Sequence, residues 1–398
     1  MRTVDEHQRV VAGLITARAP ITAALADTLG LALAQDVVAP IALPGFDNSA
    51  MDGYAVLAAD VAGASRDEPV KLPVAQDIPA GRTDALTLTP GTAHRIMTGA
   101  PVPAGATAIV PVEATDGATD VVSIFAPSEE GQHIRRAGED VTVGMTVLPA
   151  GIELTAAALG LAAALGLTEL KVVPRQRVLV ISTGTELVAP GTELRPGQIY
   201  ESNAVMLAAA VREAGGQVRT APMSSDDVDT FLGLLRQHGA DADLIITTGG
   251  VSAGAYEVVK DALAGQVDFV KVAMQPGMPQ GSGRVGDTPI ITFPGNPVSA
   301  LVSFEVFLRA PLRAAMGLAA DRPRATAVLT EKLTSPAGRR QFRRGVLAAD
   351  GTVSSYGPPA SHHLRWLATA NCLLEIPEDV TELDTGSSVP VWDLRQHS

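Results

Sequence analysis

Unbroken apolar runs alternate with helix-periodic stretches between residues 177 and 317. Val178, Leu179, Val180 and Ile181 form one run of strand length without a polar interruption. Further strand candidates stand at 218–222, 244–246, 267–273 and 289–293, with helical stretches between them at 203–214, 228–238, 256–263 and 297–312. Strands that are apolar on both faces and alternate with helices predict a parallel sheet covered on both sides. The expectation is a doubly wound α/β domain over residues 175–320. Such sheets take ligands beyond the carboxyl ends of their strands.

The flanks read differently. Val4, Val11, Leu14 and Ile15 recur on one helical face, a second helical stretch runs from Pro20 to Leu29 before Gly30, and 151–170 is rich in Ala and Leu. Between these helices, short apolar runs at 106–112, 121–125 and 145–148 are broken by Gly, Pro and Asp, which predicts a β-rich insert. The resulting division is a discontinuous helical domain (1–40 with 150–174), a β-rich insert (41–149), the α/β domain (175–320) and a C-terminal β domain (321–398) expected as a small barrel. The fold class is thus multidomain α/β plus β.

Composition narrows the function. Asp and Glu number 43 against 30 Lys and Arg, a net charge of −13 over 398 residues. A broad nucleic-acid surface is excluded, because phosphate neutralisation needs a basic face; a local anion site is not. The one cysteine, Cys372, excludes an internal disulfide framework and a cysteine-rich metal site. The longest apolar stretch, 154–167, is too short to cross a bilayer. The first residues are polar, so a cytoplasmic protein without membrane association is expected.

Three strand ends converge on polar, glycine-containing turns: STGTE at 182–186, TTGGVSAG at 247–254 and PGNP at 294–297. Each offers backbone N–H groups and hydroxyls to an anion, and together they read as a phosphate cradle. Glycines that only permit tight turns are the alternative. Neither a P-loop nor a dinucleotide fingerprint is present. Glu186, Asp226, Asp227 and Glu257 stand near the same strand ends, which suits a hard cation shared with substrate phosphates; Asp226 and Asp227 fit first-turn helix acids equally well. In the C-terminal domain, GRRQFRRG at 338–345 places Arg339, Arg340, Arg343 and Arg344 close together, either an anion-binding patch or a charged strand edge. His362 and His363 read as surface residues.

These segments, in this order, resemble the MoeA family of molybdopterin molybdenumtransferases, whose eukaryotic relative is the gephyrin E domain. The resemblance rests on PGFDNSAMDGYAV at 44–56, RIMTGAPVP at 95–103, GEDV at 138–141, GQIYESN at 197–203, TTGGVSAG at 247–254, PGNPVSA at 294–300 and LATAN at 367–371. It implies a four-domain subunit, a homodimer, and molybdenum cofactor biosynthesis: molybdate inserted into adenylylated molybdopterin, with Mg²⁺ assisting and AMP released. It also implies an upstream molybdopterin adenylyltransferase as partner.

Carried over, Asp52, Thr98, Asp140 and Glu186 would serve catalysis, and Glu186, Asp227 and Glu257 the metal. Substrate would be bound by Ser182, Thr183 and Gly184, by Thr248, Gly249, Gly250 and Ser252, and by Pro294, Gly295 and Asn296. Gln275, Pro276, Arg339 and Arg344 would complete the site. The departures concern charge. Family members usually read MKPGKP where residues 274–279 read MQPGMP, so Gln275 and Met278 replace two lysines. Thr185, Ala255 and Glu257 stand where Asp is usual. The alternative is therefore a catalytically weakened paralogue acting as a pterin-binding or protein-interaction module.

Overall fold

A computed structural model of the chain describes residues 1–221, 227–250 and 258–395. The chain forms two compact units. One contains Gln35–Ala150 with Ala156–Glu169; the other contains Met1–Ala34, Gly151–Thr155 and Leu170 onward.

The unit built on the insert holds a five-stranded sheet in the order Ala108–Pro111, Gly53–Val56, Ala93–Ile96, Val70–Ile78 and Val121–Ile124. Side chains alternate between its faces, and both faces are covered. Tyr54, Val56, Val110 and Val122 enter one core, while Ala55, Ile96 and Ile109 enter the other. Gly53 is obligatory here, because a Cβ would collide with the Val110 carbonyl on the neighbouring strand.

In the other unit, Thr3 caps the helix Val4–Leu14 through a reciprocal bond with Glu6. The stretch from Pro20 to Leu29, expected as helix, is instead the strand Ile21–Ala24 and a 3₁₀ turn, Leu25–Asp27. β-branched Ile21 and Thr22 favour the extended form, and this strand and Ala32–Leu33 flank Glu169–Val173 in a three-stranded sheet. Segments 1–40 and 150–174, expected as one helical domain, therefore carry a sheet as well as helices. Their helix Ala156–Ala164 groups with the insert, not with the N-terminal helix.

The α/β domain runs β1 (Arg177–Ser182), α1 (Asn203–Glu213), β2 (Gln217–Thr220), α2 (Val228–His238), β3 (Leu244–Thr248), α3 (Val258–Ala262), β4 (Val267–Lys271), β5 (Pro279–Val285), β6 (Thr288–Phe293) and α4 (Pro297–Ser303). The sheet order is β2-β1-β3-β6-β5-β4. The first four strands are parallel, as the apolar runs predict. Val178, Val180, Ile246 and Phe293 pack with α1 on one face, and Leu179, Ile181 and Ile245 pack with Phe231 of α2 on the other.

The sequence pattern misses β5, which pairs antiparallel with both β4 and β6. It reads PQGSGRV and has no apolar run. Its glycines are what let β4 approach, since a Cβ on Gly281 would lie 2.9 Å from the Phe269 ring.

The remaining chain supplies β7 (Arg324–Leu329), β8 (Arg340–Leu347), β9 (Thr352–Ser355), α5 (Leu364–Thr369), β10 (Cys372–Ile376) and β11 (Ser388–Asp393). The order β8-β9-β7-β11-β10 closes on itself through the β8–β10 pairing, making the small barrel expected from the sequence. Ala327, Leu329, Val353, Cys372, Leu374 and Val391 fill it. The short strand Met274–Gln275, from the α/β domain, pairs parallel with the start of β8.

Candidate functional site

The carboxyl ends of β1, β3 and β6 open into a cleft of about 760 Å³. Three turns line it: Thr183, Gly184 and Glu186 after β1; Thr248, Gly249 and Gly250 after β3; and Pro294, Gly295 and Asn296 after β6. Gln275, Pro276 and the segment 359–362 complete the wall. Backbone conformation dictates the glycines. Gly249 has φ +88°, and a Cβ there would stand 2.6 Å from the Thr183 carbonyl oxygen. Gly184, at φ +148°, lies under the Glu186 carboxylate, whose oxygens would be 2.7 and 2.8 Å from a Cβ.

Beneath the cleft a buried network fixes the strand ends. Ser182 Oγ donates to Glu201 Oε1 (2.8 Å), and the same oxygen accepts from the Ala204 amide (2.7 Å) at the start of α1. Thr248 Oγ1 donates to Ser182 Oγ (3.1 Å), and Thr183 Oγ1 to the Thr248 carbonyl (3.1 Å). Ser182, expected to bind substrate, is thus buried below the lining. Glu201 belongs to the quoted motif, yet its charge is spent orienting β1 against α1. Asn203 also lines the cleft and donates to the Gly295 carbonyl at 2.6 Å.

The acidic residues separate. Glu186 presents its carboxylate in the cleft, with no hydrogen bond or ion pair among the described residues. Asp227 is the N-cap of α2: its carboxylate accepts from the Thr230 amide (2.8 Å) and hydroxyl (2.6 Å), and these bonds hold it below the ordinary carboxylate range. Ser252, Glu257 and Asp226 lie outside the described residues. In the insert unit, Asp52 Oδ1 accepts from the Thr98 amide (2.7 Å) and hydroxyl (2.8 Å), which lowers its pKa. The Asp140 amide donates to the Leu43 carbonyl (3.1 Å), and its side chain is exposed.

The arginine cluster is not one patch. Arg340 pairs with Asp5, Glu375 and Glu378. Arg343 donates to Ser355 Oγ (3.1 Å) and the Thr334 carbonyl (3.2 Å). Arg344 is buried at 4% exposure and donates to three main-chain carbonyls, Ala360 (3.3 Å), His363 (2.9 Å) and Pro358. Those carbonyls belong to the segment that walls the cleft. Arg344 is therefore engaged by the wall, and Arg339 is half-buried with no side-chain partner among the described residues.

The wall is docked from the other side as well. Asn296 Nδ2 donates to Ser361 Oγ (3.0 Å), and the Val298 amide donates to the Ser361 carbonyl (3.1 Å). His362, read from sequence as a surface residue, is exposed, and this docking also brings it into the lining. No local pattern could have signalled that placement, which depends on the barrel meeting α4. Among the described lining residues only Glu186 and His362 are ionisable, and none is Lys or Arg. Gln275 stands in the wall with its Oε1 accepting from Gln341 Nε2 at 2.7 Å.

Comparison with known proteins agrees along the chain. Residues 2–166 match the family model described as the MoeA N-terminal region (domain I and II), 179–314 match a probable molybdopterin binding domain, and 326–394 match the MoeA C-terminal region (domain IV). The chain is 66% identical over 404 residues to molybdopterin molybdenumtransferase 2 of Mycobacterium tuberculosis, covering 99% of this chain and 100% of that protein. It is 37% identical over 425 residues to molybdopterin molybdenumtransferase 1 of the same organism, covering all of both. A solved molybdopterin biosynthesis MoeA protein from Pyrococcus horikoshii superposes with TM-score 0.83 at 30% identity, covering 98% of each chain. Across this length, this similarity and this architecture, the chain belongs to the MoeA family.

Proposed function

We propose that the chain is a molybdopterin molybdenumtransferase acting in molybdenum cofactor biosynthesis. It takes adenylylated molybdopterin and molybdate, transfers molybdenum to the pterin dithiolene and releases AMP. The observation that carries this reading is the cleft where β1, β3 and β6 end, lined by the glycine turns at Gly184, Gly249–Gly250 and Gly295, in a chain similar over its whole length to proteins named for that activity.

Thr248, Gly249 and Gly250 would receive the pterin phosphate, with Thr183 and Gly184 on one side and Pro294, Gly295 and Asn296 on the other. The amides of Gly250 and Gly295 suit this because they donate without carrying charge, whereas those of Thr183 and Gly249 are engaged by the Thr248 and Phe293 carbonyls. Glu186 fits magnesium, since a hard cation takes one or two carboxylates with phosphate oxygens and water. When bound it would neutralise charge developing on the phosphate that leaves with AMP. We assign Asp52, Thr98 and Asp140 to the reaction on the resemblance, supported by the paired hydrogen bonds that fix the Asp52 carboxylate.

A homodimer is supported by exposed apolar residues on the insert unit, where Val38, Ile41, Val143 and Met145 gather around the Ala39–Met145 main-chain pairing. Light scattering reads this directly: twice the chain mass is expected, and a monomer at micromolar concentration refutes it. We place the reaction in the cytoplasm, downstream of an adenylyltransferase that supplies the adenylylated pterin. Among the described residues no helix is long and apolar enough to cross a membrane.

The test is AMP release from adenylylated molybdopterin with molybdate and Mg²⁺. Molybdate-dependent release is expected, and none above background overturns the reading. The neutral lining at Gln275 favours one rival, a pterin-binding form that has lost insertion. If only the Q275K/M278K double variant releases AMP, that rival stands instead.

A further inference from the structure

We propose that Gln341, on barrel strand β8, is a positioning residue that turns the Gln275 carboxamide so that its N–H hydrogens, not its carbonyl, face an oxyanion in the cleft. This inference rests on the oxyanion-binding reading given above.

The two residues meet through the pairing of Met274–Gln275 with β8, in which Gln275 stands directly opposite Gln341. Gln341 is 2% exposed, and its Nε2 donates to Gln275 Oε1 at 2.7 Å. A primary amide has one acceptor oxygen and a donor NH₂ group. With its oxygen engaged by Gln341, Gln275 keeps both N–H hydrogens for another partner. No protein acceptor takes them among the described residues. The Gln275 side chain lines the cleft, where such a partner would be met.

The setting makes orientation decisive. Among the described lining residues no Lys or Arg is present, and Glu186 brings a negative charge. An unrestrained carboxamide rotates by half a turn at small cost and can present either its donor or its acceptor end. An acceptor facing an oxyanion is repulsive. A donor contributes a hydrogen bond to a charged partner, the stronger class of such bonds. Gln341, placed opposite by the strand pairing, breaks this symmetry by donating to the Gln275 oxygen, while its own buried Oε1 has no partner among the described residues. A lysine at 275 would need no such partner, because an ammonium group only donates. The glutamine pair is thus a neutral substitute for a cation, and half of it lies in the barrel.

The experiment measures inorganic molybdate binding by titration calorimetry in wild type, Q341M, Q275K and Q341M/Q275K. Methionine keeps the volume of Gln341 and removes its donor. Q341M is expected to bind molybdate roughly tenfold more weakly than wild type, the scale of one hydrogen bond to a charged group. In the Q275K background the same substitution is expected to change affinity less than twofold. Equal affinity of Q341M and wild type would overturn the proposal. So would a tenfold loss that persists with lysine at 275, since that marks general damage to the wall. AMP release by wild type, assayed alongside, separates the two readings: turnover with an unaffected Q341M sinks the positioning role alone, whereas wild type that neither binds molybdate nor turns over sinks the function beneath it.

Discussion

Arg344 offers the sharpest quantitative test, because sequence and structure give it different work. The sequence suggests an anion ligand; the structure shows a buried guanidinium bound to the carbonyls of Pro358, Ala360 and His363. Replacing it by methionine keeps the aliphatic stem and removes every donor. Each hydrogen bond to a charged group is worth about 1.5–3 kcal/mol, but the Ala360 bond is long at 3.3 Å. Removing the buried guanidinium also returns its desolvation cost, the same burial that lowers its pKa. The net expectation is a loss of about 2–4 kcal/mol, near the cost of leaving the partly buried Pro358 and His363 carbonyls without their charged donor. Urea unfolding measures it as a shifted midpoint at constant slope.

R344K is expected to recover less than half of that loss, since a point charge cannot reproduce the planar fork. Limited proteolysis between residues 356 and 364 should accelerate in R344M, because the segment loses its tether to β8. Ligand affinity should fall in step with this loosening. A molybdate affinity lowered tenfold with unchanged stability and unchanged cleavage would refute the clamp and return Arg344 to the role of direct ligand contact.

Other expectations are more compact. E186Q should retain the wild-type unfolding midpoint while AMP release falls by about two orders of magnitude and no longer responds to Mg²⁺; retained metal-dependent turnover would count against Glu186. G249A should lower stability by about 1–3 kcal/mol in urea, because it forces a Cβ at positive φ against the Thr183 carbonyl, and a wild-type midpoint would contradict the geometry. His7 is buried beside Phe307, and burial, reinforced by Arg2, lowers its pKa to about 4 from 6.5. The unfolded chain therefore takes up the proton first as pH falls. Stability should be complete above about pH 6.5 and drop by about 3 kcal/mol on reaching pH 4. H7F, which keeps the ring packing, should flatten that part of the profile, and an unchanged slope would exclude His7 as its source.

Much of the central sheet was legible because burial on both faces leaves a sequence mark: β1 reads as apolar without a break over 178–181, β3 over 244–246, and β6 is interrupted over 289–293 only by Thr292. The glycine turns were legible for a related reason, since positive φ and close approach restrict the residue choice at Gly249. Strand β5 left no such mark. Its glycines serve the neighbouring strand and not an apolar run of their own. The stretch from Pro20 to Leu29 misled because its alanines and leucines fit a helix, while the pairing with Glu169–Val173 that makes it a strand is remote in sequence. Residue type alone also could not apportion charge. Asp227 and Glu186 are both acids near strand ends, yet one is consumed by the Thr230 amide and the other stands in the cleft. The arginines of β8 look equivalent in sequence, and only tertiary contacts distinguish Arg340, bound to carboxylates, from Arg344, bound to carbonyls.

The buried thiol of Cys372 acquires a use from the barrel around it. It is fully enclosed beside Leu374 and Val391, burial pushes its pKa up to about 12, and it is the one cysteine in the chain. A disulfide reagent can modify it only after β10 separates from its neighbours, because the thiolate is the reacting species. The rate of labelling in native buffer is therefore a clock for opening of the barrel, read without mutation. Since β8 holds both Gln341 and Arg344, a ligand seated in the cleft should slow that clock in proportion to its occupancy.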